Sequence, residues 1–178
     1  MKLNTKELIL CSIFAALTSV LAQISVPLPF TTILLTMQVF AIAITGLMLG
    51  SKCGFISVII YLLLGCIGLP VFSNFSGGIG TLLGPNGGFL ISFPLMAWII
   101  GYFKEKFNSS YSIIIGMLLG LLFVYIIGTV MFSSITGNTI YQSIIYCAVP
   151  FIIPDLIKLC LAYVIGTTVS KRVILSTN

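Results

Sequence analysis

The chain has 178 residues, 59% of them hydrophobic and 6% charged, with a mean hydropathy of +1.25 and a formal net charge of +5. A soluble domain is usually about a quarter charged, so a surface wetted on all sides is excluded and lipid is the solvent for most of this chain. Its eight basic residues do not point to nucleic acid; in so apolar a chain they mark membrane topology.

Breaks in the hydropathy give six candidate helical spans, at about 8–24, 33–50, 54–69, 89–103, 112–132 and 144–169. Runs such as IIIGMLLGLLFVYIIG do not alternate apolar with polar positions, which excludes a β-barrel. The expected fold is therefore an all-α integral membrane protein, a six-helix bundle formed by one domain over residues 1–178. Lys2 and Lys6 precede the first span, Lys52 lies between the second and third, Lys104 and Lys106 follow the fourth, and Lys171 and Arg172 follow the sixth. All seven face the cytoplasm if both termini do, and the three outer connections, 25–32, 70–88 and 133–143, carry no charge.

The first span has a second reading as a cleaved signal peptide, with Lys2 and Lys6 as its basic start and SVLAQ near its cleavage site. Glu7 and an apolar length of about 17 residues favour a retained helix. Small residues four apart, Ser12/Ala16 and Ala15/Ser19, lay a shallow groove on this helix that a neighbouring helix or a partner protein could enter. For Gly46/Gly50 and Gly116/Gly120, packing inside the bundle is sufficient.

Two outer segments are unusual. In SVPLPFTT, Pro27 and Pro29 bar a helix, and the following span opens with Thr36 and Gln38. The segment PVFSNFSGGIGTLLGPNGG holds six glycines between Gly77 and Gly88 and no charge, too apolar for a solvated loop and too glycine-rich for a span. Such backbone is tolerated at membrane depth where protein or an aqueous cavity satisfies its polar groups. The expectation is a loop folded back over a cavity between helices 3 and 4, with Phe72, Phe75, Ile79, Leu82 and Leu83 turned inward.

The sixth span, PFIIPDLIKLCL, holds Asp155 and Lys158, the one acid–base pair away from the cytoplasmic ends. Three residues apart, they share a helical face and can partly neutralise one another. A self-contained ion pair is one reading. A polar solute pocket is the other, favoured because buried pairs are often replaceable by apolar residues without loss of stability. Pro154 and Pro150 predict a kink or restart one residue before Asp155, which lies roughly 16 Å along the sixth helix. The five scattered cysteines, without a CxxC or a histidine, fit apolar filler better than a disulfide framework or a zinc site. No P-loop, nucleophile–base pair or metal cluster is evident, so neither enzymatic chemistry nor a cofactor is expected, and any ATPase would be another chain.

The run YLLLGCIGLPVFSNFSGGIGTLLGPNGGFLISFPLMAWIIGYF at 61–103, with TMQVFAIAITGLMLGSKCG before it and PDLIK after it, resembles the BioY family over nearly the whole chain. These are the biotin-specific, substrate-binding S-components of energy-coupling factor (ECF) transporters. The resemblance implies six helices, biotin captured from outside in the bacterial plasma membrane, and a complex with a transmembrane T-component and two ATP-binding-cassette ATPase subunits, which alone use ATP. It carries the family's acid-x-x-lysine motif onto Asp155 and Lys158, its polar loop residue onto Asn74, and its Thr-x-Gln opening onto Thr36 and Gln38. Gly77, Gly78, Phe75, Phe89 and Asn86 complete the implied binding set, with backbone N–H groups of the glycine loop or Lys158 meeting the tail carboxylate. Ser12, Ala15, Ala16 and Ser19 are the implied docking strip.

This chain departs from the family pattern at Leu34, where proline is common, and in reading GPNGGF for GPTGGY. Its docking motif reads Ser12-x-x-x-Ala16. An S-component for another vitamin and a structural or channel-forming subunit are the alternatives.

Overall fold

Apolar segments in lipid must satisfy their own backbone polar groups, and a helix does so within one segment. The structure, a computed structural model, describes residues 4–29, 31, 33–107 and 109–175, and it is helical through most of them. Among the expected basic markers, Lys2 and the side chains of Lys171 and Arg172 lie outside the described residues.

Helix α1 spans Thr5–Ala22. The chain then forms a two-residue antiparallel ladder, β1 (Ser25–Val26) on β2 (Leu35–Thr36), pairing Ser25 with Thr36. The second helix therefore begins at Gln38, five residues later than the hydropathy suggests, because residues up to Thr36 are held extended by this ladder. The Thr36 hydroxyl accepts from the Gln38 N–H at 3.2 Å, satisfying one of the first-turn donors.

Helix α2 runs Gln38–Cys66 but is not one rod. Gly50 has φ 78° and ψ −174°, a conformation closed to most L-residues, and the chain reverses there. Gln38 Nε2 donates to Tyr61 Oη at 2.7 Å, whereas a straight helix would hold residues 23 apart at roughly 34 Å. Residues 38–49 and 51–66 are thus two antiparallel arms, the second and third expected spans. Five of the described helices are long and apolar enough to cross a membrane; with α2 folded in two, the bundle has six helical passes.

Beyond α2 come a 3-10 turn at Ser73–Phe75, the single-turn helix α3 (Ile79–Leu82), α4 (Gly87–Phe107) and α5 (Ser110–Thr136). Helix α6 (Ile140–Cys147), a 3-10 turn at Val149–Phe151 and α7 (Ile152–Leu175) complete the described residues. The sixth span is broken as its prolines require, but the restart is at Ile152 rather than beside Asp155. Pro150 falls in the 3-10 turn, and Pro154 sits in the first turn of α7, where a missing N–H leaves no hydrogen bond unmade.

One end of the bundle is clasped by polar contacts. The Glu105 carboxylate accepts from the Ser51 N–H at 2.8 Å and the Ser51 hydroxyl at 2.6 Å, closing the α2 reversal onto α4. Lys104 Nζ donates to the Leu47 carbonyl beside it. A Cβ at Gly101 would overlap the backbone of Gly50 and Ser51, so the close approach requires glycine. The small residues Gly46, Gly116 and Gly120 meet Ala97, Phe103 and Met96 within the bundle, as their spacing suggests. The core runs between α2, α4, α5 and α7 through Ile42, Leu47, Val58, Met96, Ile100 and Met117.

Candidate solute-binding site

Helix α7 carries Asp155 in its first turn and Lys158 one turn later, both facing inward and only 3% and 7% exposed. Lys158 Nζ lies 2.7 Å from Asp155 Oδ1. Tyr125, from the middle of α5, donates its hydroxyl to Asp155 Oδ2 at 2.8 Å. Each carboxylate oxygen thus has one protein partner, and a carboxylate accepts about four hydrogen bonds in all. Capacity for further donors is left, as are two N–H donors on the Lys158 ammonium.

These groups form one wall of a cavity of about 220 Å³, far larger than one water needs. Thr36 lines it from β2, Gln38 and Val39 from the start of α2, and Phe89, Leu90 and Phe93 from α4. Ser73, Asn74, Ser76, Thr81 and Asn86 line it from the glycine-rich segment, and Phe151 with Cys147 from the α6–α7 break. The lining is thus apolar and aromatic with a few convergent polar groups, the usual make-up of a small-molecule site. Gln38 is oriented by Thr36, whose hydroxyl donates to Gln38 Oε1 at 2.9 Å, and by its bond to Tyr61.

The segment that covers this space is anchored through Phe72. Its ring is 1% exposed and meets Tyr61 edge-on at 5.5 Å, in a notch where a Cβ on Gly65 would overlap it. Phe72 N–H donates to Ser76 O and Gly78 N–H to Gly65 O, at 3.0 and 2.7 Å. Between these ties, Asn74 and Phe75 take left-handed backbone angles, φ 56° and 53°.

Seven of the expected ligand contacts line the cavity together: Thr36, Gln38, Asn74, Asn86, Phe89, Asp155 and Lys158. Three do not. Phe75 is 70% exposed, because the left-handed turn aims its ring away from the cavity. Gly77 and Gly78 are not among the lining residues; Gly77 packs on the Leu69 carbonyl, and the Gly78 N–H is engaged by Gly65. Of the loop residues expected to point inward, Phe72 and Leu82 pack on the core, while Ile79 and Leu83 are exposed together on one side of α3, as a spacing of four places them.

On α1, Ser12 and Ala16 are exposed and Ser19 half-buried, but Ala15 is 1% exposed within the core. The outward strip is therefore narrower than its small residues imply. Cys11 and Cys147 are buried filler, but Cys160 is exposed on the bundle's outside. Tyr125, Ser73, Ser76 and Thr81 were not expected in the cavity; each sits in a run with nothing to mark which side it faces.

Six helical passes around an apolar cavity with a charged wall define a membrane protein that binds a small solute. The model of the BioY family matches residues 1–174, and the chain belongs to that family. It is 43% identical over 167 residues to a probable biotin transporter BioY of Pyrococcus horikoshii, covering 92% of this chain and 96% of the relative. Identity is 40% over 169 residues to the biotin transporter BioY of Thermotoga maritima, covering 93% and 96%. The fold is similar to the crystal structure of the S-component for biotin from an ECF-type ABC transporter, with a TM-score of 0.87, 31% identity, and 96% and 95% of the two chains covered.

The geometry predicts how the buried pair behaves under substitution. Asp155→Ala leaves the Lys158 charge without its counter-ion and lowers stability by about 3–5 kcal/mol. Asp155→Leu with Lys158→Met removes both charges and retains most of the wild-type stability. Thermal unfolding of the purified variants in detergent checks the order: a double variant less stable than Asp155→Ala contradicts it.

Proposed function

We propose that this chain is the biotin-binding S-component of an ECF transporter, capturing biotin in the cavity walled by α7. The observation that carries the reading is the Asp155–Lys158–Tyr125 group set into an otherwise apolar membrane cavity of a BioY-family chain. Charge at membrane depth is costly and marks functional sites. Biotin matches the demand: its ureido ring offers two N–H donors and a carbonyl, and its valerate tail is an apolar chain ending in a carboxylate.

In this reading Asp155 accepts a ureido N–H with its remaining lone pairs, while Lys158 and Asn74 donate to the ureido oxygen. The tail lies along Phe89, Phe93 and Phe151, with its carboxylate at the end of the cavity away from Asp155 and Asn74. The Gly78 N–H, already bonded to Gly65, is not its donor.

The bundle end holding Lys52, Lys104 and Lys106 faces the cytoplasm, by the excess of Lys and Arg on that side; the glycine-rich cover then faces outside. A T-component docks on α1 through the exposed Ser12/Ala16 strip, and two ATPase subunits drive the complex. The chain itself acts as a binding subunit and not as an enzyme.

Three measurements test these statements. Asp155→Ala and Lys158→Ala each weaken equilibrium biotin binding to the purified chain by about 30-fold or more, the scale of roughly 2 kcal/mol for truncating a buried charged contact; unchanged affinity in both, or equal competition by another vitamin, sinks the biotin site. Ala16→Trp abolishes co-purification with the T-component while leaving biotin affinity intact; a tryptophan variant that still assembles removes α1 from the interface. Ile79→Cys, in an otherwise cysteine-free chain, reacts with an impermeant maleimide added to intact cells, and labelling only after permeabilisation reverses the orientation.

A further inference from the structure

We infer that Gln23 is a positioning residue for the cavity's occupant: its side-chain amide clamps the turn at Ser73–Phe75 and so keeps Asn74 on the cavity wall. Gln23 directly follows α1 and is not itself a lining residue. Its Nε2 donates to the Ser19 carbonyl on α1 at 3.1 Å and to the Phe72 carbonyl at 3.1 Å, with the Pro70 carbonyl at 3.4 Å. Its Oε1 accepts from the Phe75 N–H at 2.9 Å. One amide, from about 50 residues away in sequence, thus grips the backbone on both sides of Asn74.

The grip matters because of the conformation between those two points. Asn74 and Phe75 are consecutive non-glycine residues with positive φ, and such angles persist only where the surroundings over-determine them. Within the segment, Ser76 N–H reaches Ser73 O at a long 3.3 Å, and the Ser76 hydroxyl donates to the same carbonyl. The Phe72 ring anchors the start of the turn. The Phe75 N–H, at its end, is held by Gln23. With Gln23 truncated, Asn74 and Phe75 can relax toward negative φ, which swings the Asn74 side chain off the wall.

The inference rests on the cavity being the biotin site, and its test has one arm that needs no ligand. Equilibrium biotin binding is measured on the purified full chain for wild type, Gln23→Ala, Asn74→Ala and the double variant. Gln23→Ala is expected to weaken binding about tenfold, the scale of one or two lost hydrogen bonds. Because Gln23 acts through Asn74, the double variant should bind no more than about twofold worse than Asn74→Ala. Gln23→Glu keeps the acceptor for Phe75 and loses the donor to Phe72, so it should also weaken binding and serves if the alanine variant is not recovered.

In the ligand-free arm, hydrogen exchange of amides 70–78 should accelerate in Gln23→Ala while α4 and α5 exchange as in wild type. Wild-type affinity in the Gln23 variants overturns the inference, as does full multiplication of the two single effects. A wild-type chain that does not bind biotin removes the proposed function instead, and exchange alone then decides: acceleration confined to 70–78 supports the clamp, and unaltered exchange overturns it.

Discussion

The ion pair between Asp155 and Lys158 is the constraint around which the rest of this bundle is arranged. Two opposite charges inside an apolar structure have to find each other and additional hydrogen-bonding partners. The break between α6 and α7 places Asp155 in a first helical turn, where the free N–H groups of the helix end favour negative charge. Helix α5 then brings Tyr125 to the second carboxylate oxygen. These groups stand in one wall of the cavity with hydrogen-bonding capacity still unused.

The opposite face of the same space is made by a segment that is neither a helix nor a free loop. It closes over the bundle through one aromatic anchor (Phe72 edge-on to Tyr61), the Gln23 amide and a small number of backbone ties. At the other end of the bundle, the side chains of Glu105 and Lys104 bind the α2 reversal to α4, mostly through its backbone groups. The cavity-facing end is therefore held by neutral groups, the clasped end by charged ones.

What could be read from the sequence follows from how each signal is written. Spans declare themselves by apolar length, and the Asp155/Lys158 pair by being the one acid–base pair away from the cytoplasmic ends. The α2 reversal was legible because Lys52 and the hydropathy dip interrupt an otherwise continuous run. The start of α2 was not, since the ladder between Ser25–Val26 and Leu35–Thr36 is a pairing of two short segments with no periodicity of their own. Tyr125 sits in a run in which every position is apolar or aromatic, so nothing but the packing of α5 selects the side that meets Asp155. The outward positions of Phe75, Ile79 and Leu83 are not legible in composition, because the left-handed turn at Asn74–Phe75 and the single turn of α3 decide which side each one faces.

The ion pair also has an electrical consequence. Asp155 and Lys158 together sum to zero charge, so the site carries no net charge of its own at membrane depth. A membrane potential does work of about 2.3 kcal/mol per elementary charge per 100 mV, and on an empty, self-neutralised site that work vanishes. Only a charged solute resting there would couple the position of the site to the voltage across the membrane.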